Sequence, residues 1–166
     1  MSEGKTPAAN YPTILAFIAQ CVDARQLRTV IENARKRGQT PVADAAFRRL
    51  TSILPSESPG TLEYDFWKTI YAFEEALTEE RGKTTRLSRT RQKVARVGEL
   101  ETLKDWALNT KETDGFRMLL DRGMPELTGE AIVLRHPERF AEDVATAARQ
   151  KLEVAGVDVG SLPHQA

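Results

Sequence analysis

No stretch of this chain alternates apolar and polar residues for more than about four positions, whereas apolar residues recur at helical spacing along nearly its whole length. A sheet buries one face by a period of two, so the sequence predicts an all-α protein. With 166 residues, 40% of them apolar, the chain can bury a core without disulfide or metal support. Its single cysteine, Cys21, lies in the apolar stretch LAFIAQCVD, an environment that raises a thiol pKa and points to a buried structural role.

Helix signals follow one another in order. A first helix is expected over 13–22. Asp23 then caps a second, with Gln26 as its capping-box partner, and Leu27, Val30, Ile31 and Ala34 form one apolar stripe up to Gly38. Thr40 as cap and Pro41 at the first helical position open a third, in which Val42, Ala46, Phe47, Leu50 and Leu54 face one way. The connection between the second and third is short enough to predict an antiparallel hairpin. A long helix over 61–81 carries Leu62, Phe66, Trp67, Ile70, Tyr71, Phe73, Ala76 and Leu77 as a central packing stripe, with an acidic outward face of Glu63, Asp65, Glu74, Glu75, Glu79 and Glu80.

Beyond Gly82 the spacing predicts a helix from Ser88, as N-cap, to Val97, ended by Gly98. Three shorter units over 99–108, 114–122 and 128–136 follow, with Thr113 and Thr128 as caps. The last helix, over 138–155, repeats Phe140, Val144, Ala148 and Leu152 at every fourth position. The expected architecture is an irregular bundle of six to eight helices: an N-terminal hairpin, a long central helix and a cluster of short C-terminal helices. Residues 1–10 and 157–166 are expected to be disordered tails. Residues 11–82 and 83–156 are expected to form one integrated domain, any boundary falling near Gly82 where composition and helix length change.

Charge is where the sequence departs from an ordinary helical protein. The chain is formally neutral, yet its charge is −2 over residues 1–80, +7 over 81–98 and −5 over 99–166. The segment RGKTTRLSRTRQKVARVG holds Arg81, Lys83, Arg86, Arg89, Arg91, Lys93 and Arg96 and no carboxylate, the usual footprint of a polyanion partner. On a continuous helix, with Arg86 at zero, Arg89, Lys93 and Arg96 fall at about 300°, 340° and 280°, while Leu87 and Val94 fall at about 100° and 80°. Such a helix docks through its leucine and valine and offers arginine forks to phosphate oxygens. A second cluster, with Arg35, Lys36 and Arg37 at its centre, would extend the surface along a duplex.

The reading is therefore a small non-catalytic nucleic-acid-binding protein, for duplex DNA in the first place, with a regulatory or accessory role. Its site residues are Lys83, Arg86, Arg89, Arg91, Lys93, Arg96, Arg35, Lys36 and Arg37, and a homodimer is expected to present two basic helices. The alternative is a helical interaction module whose basic segment docks on an acidic partner or pairs internally with the six carboxylates of the preceding helix. A helix-turn-helix over 99–122 fits poorly, since NTKET is too long for a tight turn and Asp114 and Asp121 offset Arg117 and Arg122.

Little in the chain points to catalysis. His136 reads as a helix C-terminal cap and His164 lies in the expected tail. The sequence has no HExxH, CxxC, GxGxxG or P-loop, so no metal or small-molecule cofactor is expected. The apolar run over 14–22 is too short to span a bilayer and follows Pro12, which leaves no membrane association expected and places the protein in the cytoplasm.

Overall fold

The computed structural model describes residues 11–163, and every regular element among them is helical. Eight α-helices follow in order: α1 (Tyr11–Gln20), α2 (Ala24–Lys36), α3 (Thr40–Ile53), α4 (Leu62–Arg81), α5 (Ser88–Leu108), α6 (Asp114–Asp121), α7 (Gly129–Arg135) and α8 (Glu142–Val154). Short 3-10 turns at Pro125–Leu127, Pro137–Arg139 and Val159–Ser161 punctuate the C-terminal part. The expected irregular all-α bundle is what the chain forms. None of these helices is long and apolar enough to cross a membrane.

The chain divides into two compact units, not at Gly82 but between Leu54 and Pro55. Gly82 is no boundary because the helices on either side of it, α4 and α5, pack together in the second unit.

In the N-terminal unit α2 and α3 form the expected hairpin and α1 lies on α3. Asp23 caps α2 by accepting hydrogen bonds from the Arg25 and Gln26 amides at 2.9 and 3.2 Å. Leu27, Ile31 and Ala34 are buried on α2, and Val42, Ala46, Phe47 and Leu50 on α3. Cys21 is buried, as its apolar setting implies, and its carbonyl accepts from Arg49 Nε at 2.8 Å. The start of α3 differs by one residue: Gln39 is the cap and makes no side-chain cap bond, so Thr40 and Pro41 are the first two helical residues.

In the second unit Thr61 caps α4 through the Tyr64 amide, and Gly82 ends it in the left-handed region at φ 68°. The core joins Leu62, Phe66 and Ile70 of α4, Val94, Leu103 and Ala107 of α5, Ile132 and Val133 of α7, and Val144 and Ala148 of α8. Helix α5 is two helices joined at Gly98, whose φ of 86° and ψ of 170° are open almost only to glycine. Its carbonyl accepts the Thr102 hydroxyl at 2.8 Å, so the bend the sequence places at Gly98 is tied down.

Three expectations in this unit are corrected. Ser88 is the first helical residue of α5 rather than its cap, a position taken by Leu87 without a side-chain bond. The last helix begins at Glu142, because Pro137 opens a 3-10 turn and Phe140 is extended, packing on the core from outside any helix. The expected C-terminal tail does not begin at 157: Leu162 is buried with Phe116, Ala131 and Leu152. The expected tail over 1–10 and His164 lie outside the described residues.

Candidate nucleic-acid interface

The basic segment meets the protein from two sides of Gly82. On the approach, the Thr85 amide donates to the Thr78 hydroxyl at 3.0 Å and the Leu87 amide to Glu74 Oε2 at 2.7 Å. These bonds fasten the loop that carries Lys83 and Arg86 to α4. Once the helix starts, Val94 is buried in the core and Leu87 packs against it, so both residues expected to dock the segment do so.

The seven cations then separate. Arg91 points inward: its Nε and Nη2 donate to the two oxygens of Glu74 at 2.9 and 2.7 Å, and its guanidinium lies 5.2 Å from the Trp67 ring centre and 5.5 Å from that of Tyr71. The Glu74 hydrogen bonds hold the Arg91 proton more firmly than usual, outweighing the effect of burial. Lys93 reaches across the Gly98 bend to Asp105 at 2.7 Å. Lys83, Arg86, Arg89 and Arg96 are exposed and have no ion pair among the described residues, and Arg81 is exposed at the end of α4.

The single helical face of four cations is thereby corrected. Arg86 lies in the loop before α5, and Lys93 is engaged elsewhere. What faces solvent is a line running from Lys83 and Arg86 in the loop to Arg89 and Arg96 on the helix, the last two separated by about 10 Å, or two turns. Gln92, exposed between them, adds a neutral amide. Unpaired guanidinium groups on a fastened backbone can each bind a phosphate through two parallel N–H donors.

Arg35, Lys36 and Arg37 belong to the N-terminal unit. Arg35 pairs with Asp44 at 3.4 Å and Lys36 with Glu32 at 2.8 Å, a contact that lowers the Glu32 pKa through the Lys36 hydrogen bond. Arg37, exposed at the C-cap of α2, is the member of this trio with no ion pair among the described residues. Helix α6 supplies no arginine either, since Arg117 is bound to Glu112 at 2.8 Å and Arg122 just beyond it to Glu79 at 2.7 Å.

The acidic face assigned to the long helix is also corrected, because two of its six carboxylates point inward. Glu74 is buried under Arg91. Asp65 is buried and receives His136 Nε2 at 2.8 Å and Arg135 at 3.1 Å, with Lys68 at 3.8 Å. His136 does stand at the C-cap of α7, but as a buried side chain bonded across to α4 rather than as an exposed cap. Burial pushes the Lys68 pKa down from its ordinary value, and the Asp65 charge opposes that shift. No sequence signal marks this cluster, because its two halves, Asp65 with Lys68 and Arg135 with His136, are some 70 residues apart and meet only through packing. Among the described residues no group of three His, Cys, Asp or Glu side chains is placed to hold a metal ion.

No family model matches the chain, and no curated protein or solved structure is significantly similar to it.

Proposed function

We propose that the protein binds nucleic acid, duplex DNA in the first place, as a non-catalytic accessory or regulatory factor that contacts phosphates through Lys83, Arg86, Arg89 and Arg96. One observation carries the reading. Beyond Gly82, four cations of one short segment stand exposed with no ion pair among the described residues, while neighbours of the same chemistry are consumed by Glu74 and Asp105. Internal pairing accounts for Arg91 and Lys93 and stops there. An isolated surface pair contributes only about 0–1 kcal/mol, so stability gives no reason to concentrate cations that pair with nothing.

The test is fluorescence anisotropy against a labelled duplex of about 30 base pairs at salt concentrations of about 50, 100 and 200 mM. Four phosphate contacts predict a log–log salt slope of about −3.6. The triple variant Arg86→Glu, Arg89→Glu, Arg96→Glu should lose binding. Absence of binding at about 50 mM salt, or a flat slope, overturns the proposal.

A further inference from the structure

We propose that the cavity beside the basic segment receives a single unstacked nucleobase, so that the protein prefers nucleic acid with an unpaired base over a continuous duplex. The cavity measures about 290 Å³, at the lower end of the range for small-ligand sites and suited to one planar ring system. Its wall is shared with the proposed phosphate contacts: Leu87 and Thr90 line it from the same segment that carries Arg86 and Arg89, and Arg81 lines it from the end of α4. Cavity and cations therefore share one segment, with Thr90 about 100° around α5 from Arg89.

The interior fits a base rather than an ion. Phe73, Trp106 and Phe116 supply aromatic surface. Gly115 and Gly129 make room for it, since a Cβ at these positions would come within 2.8 Å of the Phe73 ring and 2.6 Å of the Trp106 ring. Glu130, 4% exposed, is the buried polar group in the wall. Its Oε1 accepts from Lys151 Nζ at 2.6 Å, which neutralises its charge, while Oε2 has no hydrogen bond among the described residues. Arg81 and Asp114 are opposite in sign, so the lining as a whole favours a neutral ligand. An aromatic slot with one carboxylate oxygen in reserve suits an uncharged heterocycle bearing an amino or imide N–H, as the bases do.

The inference rests on the nucleic-acid reading, and the experiment separates the two. Affinity is measured by anisotropy for a continuous duplex, the same duplex with one bulged base, and the same duplex with an abasic bulge. The bulged base should bind about 5- to 150-fold more tightly than either control, the span of one base–aromatic stack. Thr90→Phe, which narrows the mouth from a partly exposed position, should erase that preference and leave duplex binding and its salt slope unchanged. Equal affinity for the bulged-base and abasic duplexes overturns the inference while the proposed function stands. No binding to any of the three overturns both. Should the Thr90 variant fail to fold, the comparison of bulged and abasic duplexes on the unaltered protein still decides.

Discussion

Arg89 and Arg91 stand two residues apart on α5, one exposed with no ion pair among the described residues, the other donating two hydrogen bonds to a buried carboxylate and lying over two aromatic rings. The same contrast runs along the whole segment. Its inward face, Leu87, Arg91 and Val94, joins α5 to α4, and its outward face, Arg86, Arg89 and Arg96, is exposed with no ion pair among the described residues. What separates them is the environment of the carboxylate, not that of the arginine. Glu74 cannot be left charged and buried without a cation, so it fixes which arginine is structural. No buried group makes that demand of the outward arginines, which leaves them available to a polyanion.

The largest expected effect is on the inward face. Glu74→Ala leaves the Arg91 guanidinium and the Leu87 amide without their acceptor and should lower unfolding free energy by about 3 kcal/mol, read as a fall in the urea midpoint at constant slope. The outward triple reversal should stay within about 0.5 kcal/mol of the unaltered protein in the same assay. If the two variants shift the midpoint equally, the distinction between the faces is wrong. Gly98→Ala comes next, at about 2 kcal/mol, because a φ of 86° with ψ of 170° strains any side chain. That loss should spare binding if the bend serves packing, since Arg89 precedes it and the loop bonds to Thr78 and Glu74 do not depend on it.

The helices could be read in the sequence because local rules set them. Caps at Asp23, Thr113 and Thr128, and the breaks at Gly82 and Gly98, need only neighbours within a few residues. The direction of a charged side chain could not be read in the same way. Glu74 and Asp65 share a helix with exposed acids, and only the arrival of Arg91, 17 residues later, and of His136, 71 residues later, makes them interior. A helical wheel fixes angles around one axis, and it carries no information on which long-range partner will fill a given side. The cavity beside Thr90 escaped for the same reason, since its wall draws on four helices.

A smaller effect compares two cations on buried carboxylates. Arg91 is held protonated by Glu74, whereas Lys68, near Asp65 at a longer 3.8 Å, has its pKa lowered by burial. Because the folded-state pKa of Lys68 lies below its unfolded value, the unfolded chain binds more protons between the two. The penalty for burying the ammonium is therefore full below the folded pKa and is relieved as pH rises towards about 10. Lys68→Met should flatten that alkaline rise in urea midpoint while changing stability near neutral pH by no more than about 1 kcal/mol. A rise of the same size in both proteins would assign it to another group.

The smallest effect on stability carries the sharpest test of the comparison. Lys93 has the chemistry of the outward cations and the pairing of an inward one, through Asp105, whose side chain is 52% exposed. An exposed pair of this kind contributes about 0–1 kcal/mol, so Asp105→Asn should move the midpoint by less than about 0.5 kcal/mol. Its effect on binding should be larger. With Asp105 neutral, Lys93, about 40° from Arg89 around α5, becomes a fifth phosphate contact, steepening the salt slope from about −3.6 to about −4.5. A slope unchanged by Asp105→Asn, in a protein that does bind, would mean that pairing does not decide which cations reach phosphate. The line of contacts would then have to be drawn by position along the duplex instead.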